Sequence, residues 1–231
     1  VPEPPERWQE CVEAADRDLG EALGKVFVAR VFTPETRAAA ERVVLGIREE
    51  MAERLQALDW MSAPTRARAL EKLTSMRDKI GYPEVSRDYS ALAVDRRDFF
   101  GNVRRATEFE QRRRLAQIGK PIDRGEWEMT APTVNAYYNA SMNDMNFPAG
   151  VLLPPLFDPK MDDAPNYGNT GGTIGHELTH GFDDEGRQFD AAGNLKDWWT
   201  KEDAAKFVER AQCVADQYAQ YPIVDELRIN S

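Results

Sequence analysis

Only two histidines occur in this 231-residue chain, and they stand four residues apart in Ile174-Gly175-His176-Glu177-Leu178-Thr179-His180. On a helix, residues four apart share a face, so both imidazoles can reach one ion. Imidazole suits zinc at about 2.0–2.1 Å, and a hydrolytic zinc site keeps one position for water. Glu177 directly follows the first of the two rings. From there its carboxylate can take a water proton and pass it to a leaving amine. The bare pattern H-E-x-x-H also occurs in helices whose histidines merely face solvent. Two randomly placed histidines would fall four apart with Glu in that slot on the order of one time in a thousand.

Catalytic zinc normally takes three protein ligands. A third histidine of the H-E-x-x-H-x-x-G-x-x-H type would fall at Gly186, which excludes the metzincin arrangement. Asp183, Asp184 and Glu185 follow closely. Asp184 is four residues past His180 and could accept a hydrogen bond from the other nitrogen of that ring, as outer carboxylates commonly do. The plainer reading is that these acids are simply exposed.

The rest of the chain must fold to hold that helix. With 42% hydrophobic residues it can bury a core as one large domain or two small ones. A net charge of -10 disfavours nucleic acid and anionic membranes as partners. The one basic cluster, Arg104, Arg105, Arg112, Arg113 and Arg114, reads as a solvated helix face balanced by Glu108 and Glu110. No run of eighteen apolar residues exists, so no membrane span is expected. Val1-Pro2-Glu3-Pro4-Pro5 lacks the basic start and apolar stretch of a signal peptide. That points to a cytosolic protein or to a targeting segment outside these residues. Cys11 and Cys213 are too few and too far apart for a zinc knuckle or a redox pair. They read equally as two buried thiols or as one long-range disulfide.

Residues 6–80 read as helical. Apolar residues recur at three and four spacing over 7–27, and Thr33-Pro34-Glu35 starts a second helix that runs to 58. Ser62 can cap a third, which stops at Gly81-Tyr82-Pro83. A loop at 84–98 leads into a helix over 99–118. After Gly119 prolines punctuate an extended stretch. Residues 134–138 have strand composition, and 147–157 read as extended. Residues 166–175, rich in Gly and Asn, lead into the motif helix over 173–182. Thr200-Lys201-Glu202-Asp203 resembles a capping box that opens a last helix to Tyr218.

Several ordered segments together resemble the neprilysin-type family of zinc endopeptidases, which includes endothelin-converting enzymes and bacterial oligopeptidases. They are Val134-Asn135-Ala136-Tyr137-Tyr138-Asn139, Phe147-Pro148-Ala149-Gly150-Val151-Leu152-Leu153-Pro154-Pro155, Asn166-Tyr167-Gly168, Gly175 to Arg187, and Gly193 to Thr200. Upstream, Arg7 to Cys11 and Lys79 to Pro83 extend the likeness over nearly the whole chain. The resemblance implies a mainly α fold, a gluzincin (thermolysin-like) catalytic lobe with a few short β-strands around the zinc helix. It implies one zinc ion per complete site, with His176 and His180 as ligands and Glu177 as general base. It also implies that Asn135 and Ala136 dock the backbone of a peptide substrate by strand addition. Val151 and Leu156 would line the pocket for the side chain after the scissile bond. By the same resemblance Cys11 and Cys213 pair with each other, which points to an extracytoplasmic location. Residues 1–125 would form the helical part of the catalytic chamber, and 126–231 the catalytic core.

In that family the third zinc ligand is a Glu of a G-E-N-x-x-D motif downstream of the zinc helix. Leu227 to Ser231 stand about where that motif should begin. The chain therefore reads as an internal fragment of a peptidase, whose partners are peptides and the remainder of its own polypeptide: the segment with the Glu ligand and a second lobe. One rival is a catalytically silent fragment that binds peptide or zinc only when joined to that segment. Another is a zinc hydrolase of a non-peptide substrate, against which the Asn135-Ala136 strand argues.

Overall fold

A computed structural model describes residues 4–224 and 227–229. The helices are α1 Arg7–Val31, α2 Pro34–Ala57, α3 Ala63–Ser75, α4 Phe99–Leu115, α5 Asp163–Asn166, α6 Gly172–His180 and α7 Lys201–Tyr218. The strands are β1 Arg77–Gly81, β2 Tyr137–Asn139, β3 Asp144–Pro148, β4 Pro222–Val224 and β5 Leu227–Arg228. The mainly α fold with a few short strands is as expected. Packing divides the chain into two compact units that interleave along the sequence. The first takes in the chain up to Leu45, Arg77–Asn139 and Asp144–Glu177; the second takes in Gly46–Met76, Ala140–Asn143 and the chain from Leu178.

The first unit is built on a three-stranded sheet of order β1-β3-β2. β1 runs parallel to β3, with Arg77 opposite Asp144 and Gly81 opposite Pro148. β2 runs antiparallel to β3, with Tyr137 opposite Asn146. Every residue of β3 is buried, as a central strand requires. β1 corrects the sequence reading, which carried the third helix on to residue 80. The helix stops at Ser75 because Met76 turns extended (φ -63, ψ 135), and the next five residues join the sheet. Arg77-Asp78-Lys79 look like a solvated helix end, but Lys79 is drawn inward. Its Nζ lies 2.8 Å from Asp144 Oδ2 and donates to the Glu126 carbonyl at 2.8 Å. Removing one partner of such a buried pair costs about 3–5 kcal/mol.

Two other expectations in this unit shift. The strand expected at 134–138 begins only at Tyr137. The Asn135 side chain accepts the Ala136 N–H at 2.9 Å, which keeps that donor out of the ladder with β3. The stretch 147–157, expected to be extended, leaves the sheet at Pro148 and forms a buried 3-10 turn at Ala149–Leu152. Gly150 donates to the Ala131 carbonyl at 2.8 Å, and a Cβ there would collide with the Pro132 carbonyl. On α4, Arg112 pairs with Glu108 at 2.6 Å, while Arg113 and Arg114 pair with Glu110 at 2.9 and 2.8 Å. The Arg113 hydrogen bond, with the neighbouring arginines, holds the Glu110 carboxyl down to about 2.

The second unit packs α3 against the start of α7 through one fully buried carboxylate. Asp203 accepts from the Ser62 N–H and hydroxyl (2.9 and 2.6 Å), from Thr65 (2.6 Å) and from Thr200 (2.7 Å). Burial pushes this carboxyl up, but the combined donors hold it well below the usual carboxylate range. Thr200 caps α7 as expected, accepting from Asp203 N–H at 3.1 Å. Ser62 occupies the N-cap position of α3, yet its hydroxyl serves Asp203. Trp60, Trp199 and Phe207 form an aromatic cluster beside this network.

The cysteine pairing implied by the resemblance is not formed. Cys11 on α1 and Cys213 on α7 are both free and exposed. The alternative of two buried thiols fails as well, since both side chains stand on solvent faces of their helices.

Candidate active site

Each helical residue advances about 100° around the axis. Ile174 and Leu178 therefore fall on one face of α6, and His176 and His180 on the opposite one. Burial follows this division. Ile174 and Leu178 are buried to within 1%, His176 is exposed and His180 is half-buried. Glu177 lies on the flank between the two faces and is buried. The apolar pair fixes the rotation of the helix, and that rotation aims both rings outward.

The Gly- and Asn-rich approach to this helix is itself helical. Asp162 caps α5 by accepting the Ala164 N–H at 3.0 Å. A π-helical turn, Tyr167–Gly171, then runs into α6. Such turns recur at functional sites. Glycines at 168, 171, 172 and 175 weaken helix propensity here, so side chains hold the segment instead. The Asn166 side chain bonds both backbone groups of Asp158, accepting at 3.1 Å and donating at 2.9 Å. Thr170 donates to the Leu156 carbonyl at 2.9 Å. Leu156, half-buried, is thereby joined to the lead-in of the zinc-motif helix, and Val151 lies buried in the preceding 3-10 turn. Asn135 is exposed and Ala136 buried, immediately before β2.

Past His180 the chain leaves the helix in tighter turns, with Gly181 N–H on the Leu178 carbonyl and Phe182 N–H on the Thr179 carbonyl. That brings Asp183 to the His180 ring, Nδ1 to Oδ2 2.8 Å. This corrects the expectation for Asp184, which would hold only if the helix continued; Asp184 is exposed. The other oxygen of Asp183 accepts the Glu185 and Gly186 N–H groups at 3.1 and 2.7 Å. An ionised carboxylate only accepts, so Nδ1 carries the proton, and in the neutral ring the lone pair falls to Nε2.

Two imidazoles on one helix face, one with its outer nitrogen already engaged, are suitable donors for zinc. Among the described residues no group of three His, Cys, Asp or Glu side chains is placed to hold a metal ion. The residues present therefore fit as two ligands of a site that needs a third. One residue that sequence reasoning passed over is Lys72. It belongs to the buried stripe of α3 with Thr65, Ala69 and Leu73, and a lysine in an apolar stripe was the available signal. A cleft of about 710 Å³ in the first unit is lined by Arg87, Arg113, Glu126 and Trp127 among others, and by none of the residues named above for the site.

The chain is similar to several known proteins. Neprilysin of Homo sapiens is 36% identical over 222 residues, 93% of this chain and 30% of that protein. An endothelin-converting enzyme homolog of Locusta migratoria is 37% identical over 230 residues, 96% of this chain and 32% of its own length. The zinc metalloprotease Zmp1 of Mycobacterium tuberculosis, solved in complex with an inhibitor, superposes with a TM-score of 0.90 at 44% identity, over 97% of this chain and 34% of that one. The chain thus spans about a third of the length of these relatives. No helix among the described residues is long and apolar enough to cross a membrane. Two family models, both described as Peptidase family M13, match residues 1–83 and 135–231. The chain belongs to peptidase family M13.

Proposed function

We propose that this chain forms part of a zinc-dependent endopeptidase acting on short peptides. The observation that carries the reading is α6, with two imidazoles on its solvent face, Glu177 on the flank and Asp183 fixing the second ring. His176 and His180 would hold the zinc ion, with the third ligand a Glu outside the described residues. When bound, zinc supplies Lewis-acid polarisation of the scissile carbonyl and eases deprotonation of water. Glu177 takes the proton of the attacking water and returns it to the departing amine. Its flank position lets it reach that water without itself occupying the face of the two rings.

Asn135 and Ala136 would dock the peptide backbone. They lead into β2, which has β3 on one side and, among the described residues, no strand on the other. An extended peptide can add to such an edge. Val151 and Leu156 would form an apolar wall for the side chain after the scissile bond. Residues 1–125 are proposed to contribute to the wall of the catalytic chamber, and 126–231 to the core that does the chemistry. An extracytoplasmic location is proposed from the family resemblance.

The test is Glu177→Gln in a longer polypeptide that supplies the third ligand, read by zinc content and by cleavage of an internally quenched peptide. Zinc content is expected to stay unchanged while the rate falls about 100-fold or more. A near-wild-type rate would overturn Glu177 as the base. The rival of a catalytically silent fragment is favoured by one observation, the lack of a third donor among the described residues. Its test is the metal analysis argued in the Discussion.

A further inference from the structure

We propose that Lys72 is a positioning residue for His180, acting through the loop that carries Asp183. This inference rests on the reading of His180 as a zinc ligand. Lys72 is fully buried. Its ammonium donates to the Gly186 carbonyl at 2.6 Å and the Phe189 carbonyl at 2.7 Å, and lies 5.9 Å from the centre of the Trp198 ring. Gly186 is the same residue whose N–H binds Asp183 Oδ1. It also packs so closely on the His180 carbonyl that a Cβ there would collide with it. The lysine thus grips, from inside, the residue whose N–H locks the Asp183 carboxylate against the ring.

The grip is itself fixed. The buried Asn143 amide donates to the Lys72 carbonyl at 3.1 Å and to the Ala191 carbonyl at 3.2 Å, which ties the end of α3 to the far side of the same loop. Trp198 Nε1 donates to the Phe189 carbonyl at 3.0 Å. Burial pushes the Lys72 ammonium down to about 8, while the nearby carboxylates of Asp183 and Asp190 favour its charged form. A buried cation is costly unless paired and hydrogen-bonded, and an apolar side chain would fill the same hole without that cost. Its hydrogen bonds to Gly186 and Phe189 both fall on the loop that presents Asp183.

The experiment uses the fact that His176 and His180 are the only histidines of the chain. Ring nitrogen shifts of the 15N-labelled protein, recorded without metal at a pH where both rings are neutral, report the tautomer of each. In the wild type His180 is expected in the Nδ1–H form. Lys72→Met keeps the length of the side chain and removes its donors; the Gly186 and Phe189 carbonyls retain the Phe189 and Trp198 N–H groups. The expected result is a rise in the Nε2–H share at His180 with His176 unchanged, in the direction set by Asp183→Asn. Zinc binding, measured by chelator competition, should weaken by about tenfold, the low end for an outer-shell partner. A lowered melting temperature with an unaltered His180 tautomer would overturn the proposal. So would equal changes at both rings, which indicate general loosening. If Lys72→Met does not fold, Lys72→Gln retains a donor in the same hole and is read in the same way, with a smaller change expected. Because the ring shifts are taken without metal or substrate, a failure of the peptidase reading leaves this result standing.

Discussion

At the scale of the residue, the proposed chemistry turns on which nitrogen of His180 would face a zinc ion. Asp183 decides it, because its carboxylate can only accept and so keeps the proton on Nδ1. Asp183→Asn preserves shape but can donate through its amide, which permits the opposite tautomer. Zinc affinity should fall by about 10–100-fold, as for other outer partners of ligating histidines, while the melting temperature moves little because Asp183 is partly exposed. Competition against a chromogenic chelator measures this; an affinity within twofold of wild type would remove Asp183 from the site. Histidine spacing was legible in the sequence because an i,i+4 pair is a local property of any helix. The choice between Asp183 and Asp184 was not. It depends on where the helix ends, and α6 ends at His180 in tight turns that the apolar pattern does not encode.

At the scale of the element, helices with long apolar stripes were read to within a few residues, as α2 and α7 illustrate. β1 was missed because its partner β3 lies far along the chain, and a charged Arg-Asp-Lys start carries no strand signal on its own. The same kind of non-local bond secures α3 to α7. Asp203 gathers donors from Ser62 and Thr65 at one helix start and from Thr200 at the other. Asp203→Ala leaves these buried groups without their acceptor and should destabilise the protein by about 3 kcal/mol. The pH dependence follows from the depressed carboxyl. Its stabilisation is fully present above the unfolded-state value of about 3.9 and is lost as pH falls below that toward the folded value. Denaturant midpoints of wild type and variant should therefore differ most near neutrality and converge in acid. A gap that stays constant from pH 7 to pH 3 would assign the effect to packing and not to the ionised carboxylate.

At the scale of the whole molecule, the two histidines raise a question of ligand number. Two imidazoles leave a zinc ion short of the three protein ligands that catalytic sites use. Of the nearby acids, Asp183 has one oxygen on His180 and the other on two backbone amides, so it is committed to the loop. Asp184 and Glu185 are exposed and follow the end of α6. The chain also spans only about a third of its relatives' length. The prediction is that this chain alone binds zinc weakly and cleaves no quenched peptide. A longer polypeptide that supplies a carboxylate ligand should bring zinc to about one per molecule, with cleavage that chelators abolish. Elemental analysis and the peptide assay on both samples decide it. Stoichiometric zinc and cleavage by this chain alone would put the third ligand within it, with Asp184 and Glu185 the first carboxylates to substitute. Zinc without cleavage in the longer sample would favour a binding role for the protein over the peptidase reading. Both outcomes would leave the tautomer of His180, which Asp183 and Lys72 set from inside the fold, unchanged.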